Sequence, residues 1–364
     1  MQPARMLFHL THDPRHGDKY MLRRTVEHCL TWARGGLVAA VALTAVAAPA
    51  KAADTLTMRL EWSAYVMHLP FYLAMEKGWF KAADLDIQME DGNGSITMVQ
   101  LVGNGKFDLG HGALSSAAVG ASKGLPIIAV AEYLQKSPLG IIYDAKLDIK
   151  SMKDFVGKKM IYTPASFESP FLEPFFAQNG VSYSSLNLVG VEASAKMSTY
   201  MTGGADAFIT TVPADFPRVA EKRPSKAVLF ADYGMNLPTF GIVANTEALK
   251  KKGPAIKRFV SVVSAAWAYI IDGHAEEAAK AVMKLRPNAA TTVERLVSEF
   301  KEQAPYFGTQ GKTTFPGPQS AEEWAKAIKV MEAAKVISPG SKPEKYFTND
   351  YVDAAYGKSI VAGK

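Results

Sequence analysis

The sequence holds a single cysteine, Cys29, among its 364 residues. That leaves no pair for a disulfide and no thiolate cluster for a metal. Histidine is sparse as well: only His68, His111 and His274 lie beyond residue 52. None has a second histidine at helical spacing, so no zinc-type pair is expected. A Gly-x-Ser-x-Gly elbow, a His-Glu-x-x-His motif and a Walker A loop are all lacking, and Gly92-Asn-Gly94 falls short of a dinucleotide fingerprint. On these grounds the chain is expected to be no enzyme, to need no cofactor or metal, and to have no catalytic residues. Low-complexity tracts and short repeats are also absent beyond the N-terminal segment.

What is present begins with a leader. Arg23, Arg24 and Arg34 precede an apolar run over residues 35–46, and Ala50-Lys-Ala52 offers small residues for a signal peptidase. The run is short for a bilayer span. Residues 1–52 are read as a signal peptide with cleavage after Ala52, translation beginning at Met1 or Met21, and export to the periplasm. Arg23-Arg24 is a weak twin-arginine feature. The leader carries seven of the 41 Lys/Arg and three of the 35 Asp/Glu. The remaining 312 residues therefore keep a net charge of only +2 of the formal +6, and no nucleic-acid surface is expected. Cys29 lies in the leader, so the mature chain is expected to be cysteine-free.

From Thr55 onward, short apolar alternating runs and helical patterns follow one another, which is the signature of α/β architecture. A first series covers strands near 55–62, 85–90, 107–110, 126–133 and 140–143 with helices between them, the first over residues 68–80. A second, similar series begins near Ser151. The rest is helical: Ile256, Phe259, Val260, Val263, Trp267, Ile270 and Ile271 form one apolar stripe, and Ser320-Ala-Glu-Glu323 reads as a capping box. The expected division is a first lobe of residues 53–145 plus 234–364 and a second lobe of residues 146–233.

In open α/β sheets, ligands gather beyond the carboxyl ends of strands. Four such junctions carry candidate ligand-binding residues. Trp62, Tyr65 and His68 follow the first strand; the aromatic pair can stack on a flat ligand, while Trp62 also fits a core position and His68 a helix cap. Leu114, Ser115 and Ser116 follow the third strand, where Ser115 and Ser116 can bind a ligand or simply cap a helix. Ser166, Phe167 and Glu168 hold the matching place in the second lobe; Glu168 can accept from an amine or merely favour a helix N-terminus. Thr210 and Thr211 form the fourth. Tyr133, at a strand end, and Tyr233, beside the return to the first lobe, are cleft-wall candidates. Lys and Arg are scarce in these loops, which suits a neutral, zwitterionic or aromatic ligand.

The run Leu60-Glu-Trp…His68-x-Pro-Phe-Tyr-Leu-Ala-Met-Glu-Lys-Gly-Trp-Phe80 resembles the opening of the NMT1/THI5-like substrate-binding proteins of ABC transporters. Asn104-Gly-Lys-Phe-Asp-Leu-Gly110, Ser151-Met-Lys-Asp-Phe-Val-Gly-Lys-Lys159 and Lys345-Tyr-Phe-Thr-Asn349 match further on, in the family's order. The resemblance implies a two-lobed periplasmic-binding-protein fold of type II, each lobe a mixed sheet flanked by helices. It implies a monomer that clamps a small molecule by hinge closure and delivers it to a membrane permease and, through it, an ATPase. Ligands in the family include aminopyrimidine thiamine precursors, riboflavin, alkanesulfonates, taurine, nitrate and aromatic acids. The Trp62–His68 stretch is nearest to the pyrimidine branch, although Ser63–Met67 differs from the Asn-rich residues usual there. An aliphatic sulfonate, taurine or nitrate is the alternative ligand; a periplasmic sensor or an enzyme on the same scaffold is the alternative class. A pyrimidine synthase of the yeast type uses a cysteine-rich motif, which the mature chain lacks.

Overall fold

The structure is a computed structural model that describes residues 52–363 apart from Ala165, Gln310, Gly311 and Thr314. The expected signal peptide lies outside the described residues.

Ten strands build two sheets. The first contains β1 (Asp54–Arg59), β2 (Leu85–Glu90), β3 (Leu109–Ala113) and β4 (Ile127–Glu132); the second contains β5 (Leu139–Asp144), β6 (Lys159–Tyr162), β7 (Asn187–Gly190), β8 (Ala207–Thr211) and β9 (Ser225–Leu229); β10 (Phe240–Asn245) returns to the first. The strand orders are β2-β1-β3-β10-β4 and β7-β6-β8-β5-β9. Each sheet is mixed. Its one antiparallel strand, β10 or β5, is the strand entered directly from the other lobe. Because the remaining strands run parallel, their carboxyl ends gather on one edge of each sheet.

Helices cover both sheets: α1 (Leu69–Glu76), α2 (Trp79–Ala82), α3 (Ser95–Gly103) and α4 (Leu114–Ser122) in the first lobe, and α5 (Leu172–Gln178), α6 (Ala193–Met201) and α7 (Val212–Ala220) in the second. The C-terminal third adds α8 (Thr246–Tyr269), α9 (Ala275–Leu285), α10 (Val293–Gln303), α11 (Ala321–Ala333) and α12 (Ala354–Val361). The apolar stripe expected on α8 is buried, from Ile256 through Trp267 to Ile270. Asn245 caps α8 through its side chain, accepting from the N–H groups of Glu247 and Ala248. Lys252 leaves helical geometry just before Pro254, so the proline sits where a new helical segment starts. Ser320 caps α11 by accepting from Glu323 N–H at 3.3 Å.

Two expectations change. The helix read over residues 68–80 is a 3-10 turn (Val66–His68) followed by α1 and α2, which are separated by Gly78 at φ +70°. The strand near 140–143, placed in the first lobe, is β5 of the second sheet, paired with β8 and β9. The chain leaves the first lobe at residues 133–138, before β5, because β4 has ended by then and Pro138 has no N–H to continue a ladder.

The two crossover segments touch. Ser137 N–H donates to Asn236 Oδ1 at 2.8 Å, and Asn236 Nδ2 donates to the Gln135 carbonyl at 3.3 Å. One side chain thus ties the outgoing and returning chains. Asn236→Ala should lower stability by about 1–2 kcal/mol, seen as an earlier midpoint in urea unfolding; an unchanged midpoint would mean the tie carries no stability.

Candidate functional site

The first jaw grows out of the end of β1. Leu60 N–H still pairs with the Glu90 carbonyl at 2.8 Å, and then the chain turns away. Gly92 N–H donates to the Trp62 carbonyl at 3.2 Å and Gly94 N–H to the Glu61 carbonyl at 2.6 Å. A Cβ on Gly92 would stand 1.9 Å from the Leu60 carbonyl oxygen, so only glycine allows this approach. The turn delivers the Glu61 side chain inward, where it is 4% exposed.

Glu61 is the hub of a buried cluster. Tyr65 Oη donates to its Oε1 at 2.6 Å, while His68 Nε2 and His111 Nδ1 lie 3.1 and 2.7 Å from its Oε2. Burial pushes the Glu61 carboxyl upward, but the charge and hydrogen bonds of His111 and His68 outweigh it and hold the group well below the usual carboxylate range. Burial, partly opposed by Glu61, lowers the His68 imidazole and favours its neutral form. Because a carboxylate only accepts, His68 Nε2 and His111 Nδ1 are the donors to Glu61. The outer nitrogens, His68 Nδ1 and His111 Nε2, have no protein partner. Burial and the Glu61 charge raise the Tyr65 phenol, which stays a donor.

Glu61, His68 and His111 also place three potential metal-ligand atoms within 4.8 Å of one another. Ligands of a tetrahedral ion with bonds of about 2.0–2.1 Å stand roughly 3.3 Å apart. The separations of 2.7 and 3.1 Å to Glu61 are those of hydrogen bonds instead. His68, expected as a cap, precedes α1 without capping it; its ring serves Glu61.

Aromatic rings extend the cluster across to the second lobe. The Phe240 ring stacks on His111 with centroids 5.9 Å apart and lies 6.5 Å from Tyr65; Phe167, from the β6–α5 connection, meets Phe240 edge-on at 6.0 Å. Trp62 is half-buried, and its side chain has no hydrogen-bond or ring partner among the described residues. Behind Phe167, Glu168 is 2% exposed and paired with Lys196 Nζ at 3.4 Å. Burial raises the Glu168 carboxyl against the pull of Lys196. Lys196 also donates to the Ile209 carbonyl at 2.8 Å. Thr210 Oγ1 donates to Asp215, and Thr211 is the residue before α7.

The α4 junction is more occupied than its sequence suggests. Leu114 N–H donates to the Thr239 carbonyl at 2.8 Å and Ser115 N–H to the Pro238 carbonyl at 2.9 Å. Two of the N–H groups that could have met an anion are thus taken by the returning crossover. Ser115 and Ser116 are buried, and Ser115 Oγ has no partner. Ser166 is half-buried, its N–H held by the Thr163 carbonyl. Tyr133 is buried with its ring 6.0 Å from Trp267, a position inside the first lobe. The Tyr233 carbonyl accepts from the side chains of Gln178 and Asn179, which tie it to the end of α5.

Sequence reading passed over several members of this region. Glu61 was legible only as one carboxylate among many, and His111 lies 50 residues from it. Phe240, Lys196, Asp215 and Glu299 come from four other elements. Glu132, at the end of β4, is 7% exposed, and burial lifts its carboxyl to about 8 against a hydrogen bond from the Thr239 backbone; the Glu323 charge adds to the rise. The folded chain therefore holds this proton more tightly than the unfolded one. Its contribution to stability is complete below pH 4.5 and is lost as pH rises through about 8. Glu132→Gln, which cannot ionise, should gain stability relative to the unsubstituted protein between pH 5 and pH 8 in thermal melts; parallel pH profiles would contradict this.

Comparison with known proteins places this geometry. A formylaminopyrimidine-binding protein of Halalkalibacterium halodurans is 24% identical over 300 residues, 80% of this chain and 88% of that protein. A 4-amino-5-hydroxymethyl-2-methylpyrimidine phosphate synthase of Aspergillus parasiticus is 23% identical over 320 residues, 82% of this chain and 87% of that protein. The periplasmic aliphatic sulphonate binding protein SsuA of Escherichia coli superposes with a TM-score of 0.65 at 14% identity, covering 81% of this chain and 92% of that one. The two-lobed periplasmic-binding-protein fold expected from the sequence is present. The expectation that the chain is no enzyme is corrected: proteins named as synthases stand among its relatives, so the lack of familiar catalytic motifs and of mature cysteines does not exclude enzymes from this scaffold. The family model for NMT1/THI5-like proteins matches residues 66–278, more than half of the sequence, and the chain belongs to that family.

Proposed function

We propose that this protein captures a small, nitrogen-rich heteroaromatic molecule of the aminopyrimidine type between its two lobes. The observation that carries the reading is the balance of groups at the facing strand ends. Glu61 and Glu168 supply carboxyls there, and Asp215 of α7 and Glu299 of α10 stand close enough to act on Tyr65. Against these stand Lys196, already held by Glu168 and a backbone carbonyl, and Arg218, whose charge Glu299 feels. An oxyanion needs free N–H groups or cations. A ring bearing N–H donors needs acceptors and aromatic faces, and Trp62, Tyr65, Phe167 and Phe240 offer the latter.

In this reading the protein is the periplasmic solute-binding component of an ABC importer. The leader supports export, and relatives that bind a formylaminopyrimidine or a sulphonate support uptake. A permease and its ATPase are the partners. Closure is a shift between open and closed populations: the ligand contacts Trp62 and Tyr65 on one lobe and Phe167 and Glu168 on the other, and so favours the closed one.

Isothermal titration of the purified protein with 4-amino-5-hydroxymethyl-2-methylpyrimidine, taurine, methanesulfonate and nitrate tests the ligand class. The pyrimidine should bind and the three anions should not. Trp62→Ala should weaken pyrimidine binding by about tenfold or more, the loss of one stacking face, with an unchanged melting temperature. Binding of an anion with no response to the pyrimidine would overturn the reading.

A further inference from the structure

A cavity of about 280 Å³ lies between the two crossovers and the first turns of α11. Gln135 of the outgoing crossover and Asn236, Leu237 and Pro238 of the returning one form part of its wall, and Trp324 of α11 another part. Glu132, at the end of β4, lines it as well. None of Trp62, Tyr65, Phe167 and Phe240 borders it, so it is separate from the ligand site proposed above. Its volume is close to the lower limit for small-molecule sites.

Glu132, Glu322 and Glu323 bring carboxyls to this wall. The two on α11 are already matched: Lys326 Nζ lies 2.9 Å from Glu322 Oε1 and 2.8 Å from Glu323 Oε1. The crossovers add no charged group to the wall. Glu132 is different. It is 7% exposed, and no cation among the described residues acts on it; the Thr239 backbone bonds to it, and the Glu323 charge opposes its ionisation. A buried carboxyl in this setting either keeps its proton or meets a positive charge from outside. The cavity beside it is where such a charge can enter.

A bare metal ion does not suit this wall. Among the described residues, no cluster of three metal-ligating atoms includes Glu132. The remaining lining combines the carboxamides of Gln135 and Asn236 with carbon surface from Leu237, Pro238 and Trp324. Carboxamide oxygens accept from N–H groups, and the carbon surface suits a short organic frame. We propose that this cavity binds a small organic cation carrying N–H donors, an ammonium or guanidinium compound, with the Glu132 carboxylate as its charge partner. The inference is independent of the heteroaromatic ligand class. Water filling the cavity beside a permanently neutral Glu132 is the competing account; it predicts no preference for positive charge.

Isothermal titration of the purified protein with methylguanidinium and with its neutral isostere methylurea separates the two. The cation should bind, and methylurea should bind about tenfold more weakly or not at all, the difference made by a charge-assisted bond. Glu132 must give up its proton to pair, whereas a guanidinium stays charged, so binding should tighten as pH rises through about 8. Glu132→Gln should erase both the preference and the pH dependence. If that variant does not fold, nitrogen–proton correlation spectra of the unsubstituted protein serve instead: methylguanidinium should move the indole N–H signal of Trp324 and leave that of Trp62 in place. Equal binding by the folded variant, or movement of the Trp62 signal in place of Trp324, would put the cation elsewhere and overturn the assignment. Absence of methylguanidinium binding, or equal binding of methylurea, would leave the cavity to water and overturn it as well.

Discussion

The first jaw depends on one buried carboxylate. Stripping water from Glu61 costs several kcal/mol, and a hydrogen bond to a charged group returns roughly 1.5–3 kcal/mol. One bond would leave the site at a loss; the three from Tyr65, His68 and His111 can offset it. Each bond has a positional consequence. Tyr65 is held at the edge of the cleft, the His68 bond fixes the turn that starts α1, and the His111 bond fastens the loop to β3.

The lobe architecture was legible because it follows from local pattern: alternating apolar residues in short strands, Gly and Pro between them, and the α8 stripe of Phe259, Val263 and Trp267 at helical spacing. The boundary between lobes was less so. Strand β5 reads as a continuation of the first series, since nothing in its own residues records that its partners are β8 and β9. Trp62, Tyr65 and Phe167 were legible as aromatics at strand ends. The Glu61–His111 bond was not, because it joins residues 50 apart and neither has a local partner that marks it.

The same scaffold serves a sulphonate binder, a formylaminopyrimidine binder and named synthases among the relatives of this chain. What distinguishes members is then the chemistry placed at the facing strand ends. Here, carbonyls of the returning crossover occupy N–H groups of α4. The returning crossover enters that arrangement directly, because Pro238 and Thr239 belong to it and also satisfy α4.

The central claim is that one ligand bridges both lobes. Small-angle X-ray scattering of the purified protein, with and without saturating 4-amino-5-hydroxymethyl-2-methylpyrimidine, tests it most directly. A smaller radius of gyration on ligand addition is expected, as Phe167 and Glu168 are drawn onto the Trp62–Tyr65 jaw. Tight binding with no change in radius would contradict the clamp.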